Sequence, residues 1–295
     1  MASFIMAGRM QAAIFTVVST LVSLLIPPLI VFSNAAVALI TLRKGWQQGV
    51  IYSLLAIATL VIASIALKQP GSSGIVAGLA NWLPLVLIAS ALGMTRSWSK
   101  TLQLTLILGV AGVLLFHLLH PDAAGYWKAA LQQMKPLLQQ SYQLEESKID
   151  ASINNASVWM TGTFASVLVI IAIISLIIAR NWQARLYNPG GFGEEFRQIA
   201  LGKQFAMALL GAIAIAVITH NQLIIELIMV AITVFMFQGL SLAHALVKQK
   251  GLNPALLAGL YILMFLLLIQ MIVLLAAFAI IDNFADFRKI TASTK

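Results

Sequence analysis

Polar side chains inside long apolar runs are the residues of this sequence that could do chemistry. A polar group costs free energy inside a bilayer unless it has a partner or a function, so its presence there is informative. The amides and the histidine placed in this way are Asn34, Asn81, Gln103, Gln238, His244 and Gln270, and Glu226 lies about one turn into its run. Such groups could line a solute pocket or a proton path between helices.

Five of these side chains form the candidate binding set: Asn34, Asn81, Glu226, Gln238 and His244. The alternative for the amides is interhelical hydrogen bonding, which contributes about 0.6–2 kcal/mol per contact. A shared cavity that contains Asn34, Asn81 and Gln238 would favour solute binding. A dry, fully packed bundle would favour the alternative.

Metal and catalytic motifs are weak in this sequence. His117, His120 and Asp122 have ligand-like spacing on one helix face, but a fourth ligand and a histidine–glutamate motif are lacking. The chain has no cysteine, which excludes thiol nucleophiles and cysteine metal sites. No Walker loop, nucleophile elbow or dinucleotide fingerprint occurs. We therefore expect no metal, no cofactor and no enzymatic activity.

The composition is that of a membrane protein. Of the 295 residues, 61% are hydrophobic and 9% are charged, and the mean hydropathy is +0.96. Ordinary soluble domains are roughly 45–50% apolar and about 25% charged. A helix needs about 20 apolar residues to cross a bilayer core. The apolar runs that are candidate helices are 11–26, 29–42, 46–67, 74–94, 101–119, 158–179, 205–219, 223–247 and 254–281.

These runs predict an all-α, polytopic integral membrane helical bundle with eight or nine transmembrane helices. Residues 1–121 would supply the N-terminal membrane helices, and 158–295 would supply the C-terminal ones with a cytoplasmic loop at 180–203. Between them, apolar residues recur at helical spacing from Trp127 to Tyr142, with a bend near Pro136. That pattern predicts an exported amphipathic segment at 122–157.

The basic residues indicate the orientation of the chain. Many of the 18 Lys and Arg residues sit in pairs at the ends of apolar runs, as membrane orientation signals do. A nucleic-acid surface would gather them on one face, so we expect no nucleic-acid partner. Placing the pairs on the cytoplasmic side of a bacterial inner (plasma) membrane also places the N-terminus inside. The side of the C-terminus stays open, because nine crossings would put Arg288 and Lys289 outside.

The stretch 180–203 is a long polar and glycine-rich interruption with a net positive charge. Its Asn-Pro-Gly-Gly sequence is a turn signal, because proline fixes φ and glycine permits positive φ. A short helix would follow, with Glu194 and Arg197 spaced for an i,i+3 pair. The candidate docking residues are Asn188, Pro189, Gly190, Gly191, Phe192 and Arg197. The alternative is a rigid connector between two membrane helices.

Three segments carry a resemblance to a known family: LYNPGGFGEEFRQIALGK, FQGLSLAHALVKQKG and the closing IIDNFADFRK. With the early TLRKG turn, they resemble bacterial membrane proteins of the YybS type, a family without an established activity. The N-terminal half is distantly similar to the substrate-binding subunits of energy-coupling-factor vitamin transporters. Those subunits often carry an Ala-x-x-x-Ala surface for the energising partner, whereas the spacing here reads Ala12-x-x-x-Thr16 and Ala13-x-x-x-Val17.

These observations favour a small-solute binding or transport component. The competing hypothesis is a non-transporting membrane scaffold or regulator that docks a cytoplasmic or membrane protein through 180–203. The lipid bilayer is the expected partner in both cases.

Overall fold

The protein is an all-helical bundle in the computed structural model, which describes residues 1–142 and 145–292. Helices make up 88% of it, and the described residues form no strand. Within them, six helices are long and apolar enough to cross a membrane, and shorter apolar helices at Arg9–Leu25, Lys203–Thr219 and Ala255–Leu266 accompany them. The predicted all-α, multi-pass membrane architecture is confirmed.

The helices follow one another with short connections. In chain order they are α1 (Ala2–Ala7), α2 (Arg9–Leu25), α3 (Ile30–Lys44), α4 (Trp46–Ala66), α5 (Gly71–Thr95), α6 (Trp98–Leu119), α7 (Ala123–Gln132), α8 (Lys135–Tyr142), α9 (Glu146–Tyr187), α10 (Gly191–Phe196), α11 (Lys203–Thr219), α12 (Gln222–Gln249), α13 (Ala255–Leu266), α14 (Leu268–Ala285) and α15 (Phe287–Ala292). Each predicted apolar run corresponds to a helix, except that the last is divided at Leu267 into α13 and α14.

Two helices occupy the centres of the two halves of the bundle. Residues 33–41 of α3 and residues 233–242 of α12 are all buried. The long helix α9 packs against both of them and joins the halves. On the far side of α12, α14 approaches so closely at Gly239 that a Cβ there would overlap the Leu275 carbonyl. That contact requires a glycine.

One end of the bundle, which we call the basic end, gathers most of the cationic side chains. Contacts join α3, α9, α10, α12 and α15 there: Arg43 stacks on Tyr187, Arg180 pairs with Glu195, and Gln249 Nε2 donates to the Arg288 carbonyl. The basic residues at this end are Arg9, Arg43, Lys44, Arg96, Lys100, Arg180, Arg185, Arg197, Lys203, Lys248, Lys250, Arg288 and Lys289. The opposite end carries Lys68, Lys128, Lys135 and Lys148.

The C-terminal helices enter and leave the bundle at the same end. The helix α12 ends at the basic end, α13 begins directly after it, and α14 returns to that end, where Arg288 lies in one surface pocket with Lys248 and Gln249. Because α13 and α14 begin and end at the same end of the bundle, we expect them to form a re-entrant pair rather than a ninth crossing. This arrangement resolves the charge conflict at the C-terminus, because Arg288 and Lys289 join the other basic residues.

The segment boundaries expected at 157 and 180 fall inside one helix. The helix α9 has 42 residues, which at 1.5 Å per residue is about 63 Å, roughly twice the thickness of a bilayer core. It continues this far because no proline occurs between residue 146 and Pro189. Residues 146–157 thus form its first turns, and residues 180–187 form its last.

The helices α7 and α8 pack on the first half of α9. Lys135 Nζ lies 2.6 Å from Glu146 Oε1 and 2.8 Å from Asp150 Oδ1, and Trp127 Nε1 donates to Thr161 Oγ1 at 2.9 Å. The predicted bend is the break between α7 and α8, which places Pro136 in the first turn of α8, where proline is tolerated. These contacts fold the chain after Asp122 into a compact cap at the end opposite the basic end.

Single cysteines can report the side of each end, because the natural chain has none. We expect a membrane-impermeant maleimide, added to intact cells, to label Gln140→Cys but not Asn188→Cys or Lys289→Cys. All three positions are exposed, and permeabilised cells should show labelling at each. Labelling of Lys289→Cys together with Gln140→Cys would contradict the re-entrant arrangement of α13 and α14.

Candidate ligand-binding site

An apolar groove of about 530 Å³ opens between α9, α12, α13 and α14, and α10 lies across it at the basic end. One wall is formed by Ile170, Ile174 and Ile177 of α9, whose spacing puts them on one helix face. Met264 and Leu268 contribute to the opposite wall. The volume lies within the roughly 300–1,000 Å³ that small-molecule sites occupy.

The polar groups of the groove are concentrated at its basic end. His244 Nε2 and Tyr261 Oη are 2.8 Å apart, and the His244 ring packs edge-on against Phe196 with centroids 5.7 Å apart. Arg197 lines the same end, and none of the ion pairs among the described residues includes it. A cation beside a His–Tyr pair, with isoleucine walls beyond, is complementary to an amphipathic molecule that has an anionic head.

The helix α13 is the loosest wall of this groove. None of its residues is buried, and within the described chain the His244–Tyr261 contact is the one side-chain hydrogen bond that ties it to α12. Its junction with α14 at Leu267 is non-helical, with φ −129° and ψ 51°. The helix α13 therefore lies at the edge of the bundle, where Leu260 and Met264 pack against the core without being buried in it.

Asn34 and Asn81 lie outside this groove and bind each other. Asn34 Nδ2 donates to Asn81 Oδ1 at 3.0 Å, and Asn81 Nδ2 donates to Asn34 Oδ1 at 2.7 Å. The two amides join α3 to α5, and Asn34 is fully buried. Gln238 has other partners, so the structure does not bring these three amides into one cavity.

Gln238 holds the non-helical segment 199–202 between α10 and α11. Its Oε1 accepts from the Leu201 N–H at 2.9 Å, and its Nε2 donates to the Ala279 carbonyl at 3.1 Å. Four further side chains complete this backbone clamp. Ser99 Oγ accepts from the Ala200 N–H, Gln103 Nε2 donates to the Leu201 carbonyl, Asn283 Oδ1 accepts from the Gly202 N–H, and Arg288 Nη2 donates to the Ile199 carbonyl.

The clamp follows from the burial of this segment. Backbone N–H and C=O groups that are buried away from water need hydrogen-bond partners, and outside regular helical geometry side chains must supply them. Leu201 is fully buried and Ile199 nearly so, which leaves the side chains of α6, α12, α14 and α15 to do this. The clamp fixes α10, and α10 supplies Phe196 and places Arg197 at the end of the groove.

Glu226 lies near the opposite end of α12 and pairs with His117 of α6. The Oε2 and Nε2 atoms are 2.6 Å apart, and the Glu226 side chain is 2% exposed. His120 instead packs against Tyr126, and Asp122 accepts from the Gly125 N–H at the start of α7. The three residues with ligand-like spacing thus have separate partners, and the described residues contain no group of side chains suited to hold a metal ion.

The turn after α9 has part of the expected geometry. Gly190 has φ +90°, the left-handed conformation that favours glycine, whereas Gly191 begins α10 with an ordinary backbone. Asn188 and Pro189 are exposed, and Phe192 packs inward, with its ring centroid 6.0 Å from that of Trp98. This turn and α10 are therefore folded against the bundle.

The ion pair of α10 differs from the expected one. Glu195, not Glu194, is the paired acid, and its partner is Arg180 of α9, which contacts both carboxylate oxygens. No Glu194–Arg197 pair occurs in the described structure. The i,i+3 spacing fails because α10 ends at Phe196, so Arg197 leaves the helix and turns toward the groove.

Several important residues had no functional signal in the sequence. Tyr261 is an ordinary aromatic residue of an apolar run, and its role depends on α13 folding back beside His244. Asn283 and Arg288 belong to the closing IIDNFADFRK segment, where the family resemblance includes both and the charge pattern includes Arg288. A polar residue in the last turn of the last apolar helix is the signal that could have identified Asn283.

Replacing Gln238 with leucine tests the clamp. The substitution leaves the buried Leu201 N–H without a partner, which costs about 1–3 kcal/mol for each unsatisfied group. We expect a lower melting temperature in detergent and a lower membrane abundance. Gln204→Leu is the matched control, because Gln204 is exposed on α11. Equal stability of the two variants would contradict the role assigned to Gln238.

Comparison with known proteins gives one match. The model of the family described as "Predicted membrane protein (DUF2232)" matches residues 13–283. No curated protein matches the chain, and no solved structure does. The family match extends from α2 to α14 and so includes the groove, the Asn34–Asn81 pair and every clamp residue except Arg288. The chain belongs to the DUF2232 family of membrane proteins.

Proposed function

We propose that this protein is a small-solute binding or transport component whose ligand is an amphipathic molecule with an anionic head. The observation that carries the proposal is the groove beside α13, which is apolar along α9 and polar at its basic end. The head would lie near Arg197 and the His244–Tyr261 pair. The apolar part would lie along Ile170, Ile174 and Met264.

The location of the groove supports this class of ligand. Its outer wall includes Tyr261 and Leu268, which are 46% and 52% exposed on the surface of an apolar helix pair. A molecule could therefore enter from the bilayer by displacing α13 rather than by crossing the buried core.

The groove also supports a non-enzymatic role. Its lining residues, all of them in the described part of the chain, include no serine, threonine, aspartate or glutamate. The hydrogen-bond partner of His244 is Tyr261, and the lining offers no carboxylate that would orient the imidazole for acid–base or covalent catalysis. Binding and release are what this set of side chains can provide.

We further propose that the basic end faces the cytoplasm of a bacterial cell and that the N-terminus lies on that side. The proposal rests on the positive-inside rule, which counts Lys and Arg in short loops near helix ends. Such residues lie in the last turns of α3 and α12 or directly after α5 and α12: Arg43, Lys44, Arg96, Lys248 and Lys250. The cap formed by α7 and α8 would then be exported.

Native mass spectrometry of the purified protein tests the binding role. We expect the wild type to retain one amphipathic molecule, and Ile174→Trp to abolish its retention because the indole fills the groove. His244→Phe keeps an aromatic ring beside Phe196 but loses the hydrogen bond, so we expect roughly tenfold weaker retention. Ile262→Trp is the control, since Ile262 is 59% exposed and does not line the groove.

Two outcomes would overturn this assignment. Equal retention by Ile174→Trp and by the control would place the molecule outside the groove. Recovery of a stoichiometric protein partner by the wild type, lost on replacing Leu186 and Pro189 with serine, would favour the scaffold hypothesis. Residues 185–190 at the end of α9 are exposed, and this exposure is the observation that favours the scaffold hypothesis.

A further inference from the structure

A second cavity, separate from the groove, lies between the ends of three helices at the basic end. Its volume is about 390 Å³, and it is lined by the C-terminal residues of α3, α5 and α9 together with Glu195 of α10. Three arginines, one from each helix, contribute to it: Arg43, Arg96 and Arg180. Helices distant in sequence thus place three guanidinium groups around one space.

The charges in this cavity are not balanced. Glu195 is the one acidic residue in its lining, and both of its oxygens accept from Arg180, which also contacts Gln183. Within the described chain, Arg43 and Arg96 have no ion pair and no side-chain hydrogen bond. Arg43 and Arg96 therefore remain for a ligand, whereas Arg180 is held by its ion pair with Glu195.

Arg43 is held in a particular orientation. Its guanidinium carbon lies 3.7 Å from the centroid of the Tyr187 ring, which belongs to another helix. Stacking on an aromatic ring orients the guanidinium plane and leaves its N–H edge available, and this fork matches the oxygens of a phosphate or carboxylate. An arginine that only complemented the dipole of its own helix would not need this contact.

We propose that Arg43 and Arg96 form a binding site for a phosphate-type oxyanion, with Tyr187 as the residue that orients Arg43. Arginine pairs recognise phosphate oxygens through charge-assisted hydrogen bonds. The cavity lies where the bundle meets the membrane surface, so the phosphate can belong to the headgroup of an anionic phospholipid or to a soluble compound. Basic residues next to membrane helices bind such headgroups.

Two probes distinguish these sources with the full-length protein in neutral detergent. The first is phosphatidylglycerol, counted as bound lipid by native mass spectrometry against phosphatidylcholine. The second is inorganic pyrophosphate, followed by its effect on the melting temperature. We expect one probe to bind the wild type, and Arg43→Gln and Arg96→Gln each to weaken it roughly tenfold through loss of one charge-assisted bond.

Matched variants make the result specific to the site. Arg185→Gln removes an exposed charge from the same end of α9 but not from the cavity, so we expect less than a twofold change. Arg43→Lys keeps the charge but loses the planar fork, and its affinity should lie between those of the wild type and Arg43→Gln. Both glutamine variants should have the melting temperature of the ligand-free wild type, because Arg43 and Arg96 are exposed.

The proposal fails if neither probe binds the wild type. It also fails if Arg185→Gln weakens binding as much as Arg43→Gln does, since the effect would then be one of net charge. The groove and this cavity have no lining residue in common, so the Ile174→Trp variant should retain full phosphate binding. Loss of phosphate binding in that variant would show that the groove and the cavity are not independent sites, which would contradict the assignment.

Discussion

The need to satisfy the backbone of residues 199–202 is the constraint on which the rest of the structure depends. These residues leave helical geometry inside the protein, and side chains supply the partners of the Ala200 N–H, the Leu201 N–H and C=O, the Gly202 N–H and the Ile199 C=O. Their hydrogen bonds come from Gln103, Gln238, Asn283, Arg288 and Ser99. Because these side chains belong to α6, α12, α14 and α15, one short segment fixes the positions of four helices.

This constraint also determines which polar side chains remain for function. An amide that serves the backbone at both of its polar atoms is held in place by the protein, and Gln238 uses its oxygen and its nitrogen in this way. Asn34 and Asn81 satisfy each other. Within the candidate set, His244 lines the groove. Its hydrogen-bond partner is the Tyr261 hydroxyl of α13, a helix with no buried residue.

The sequence predicted the elements of the fold well and their arrangement only in part. Apolar length located every membrane helix, because a bilayer-spanning segment has a strong local signal. The division of the last run at Leu267 has no such signal, since leucine is a good helix former and neither glycine nor proline marks the break. The continuity of α9 was missed for the opposite reason: polar residues at its ends suggested loops, although nothing there interrupts a helix.

The sequence predicted which residues belong to the candidate site, but it did not predict their arrangement in space. Polarity within apolar runs identified His244, Gln238, Glu226 and the two asparagines, yet it did not show which of them meet. His117 and Glu226 are 109 positions apart in the chain, and Gln103 reaches the Leu201 carbonyl across 98. Such pairings depend on the tertiary fold. Arg43 and Arg96 likewise had the signature of orientation signals, and only their convergence on one cavity gives them a further meaning.

The loose packing of α13 has a consequence for how a ligand of the groove would be measured. A site that opens sideways exchanges with the hydrocarbon phase and not with water. Occupancy would then follow the mole fraction of the ligand in the membrane, which a small amount of an amphipathic compound can raise far above its aqueous level. Modest intrinsic affinity would suffice for saturation in a cell, and a purification that keeps the protein in a lipid bilayer, such as a nanodisc, would preserve that occupancy.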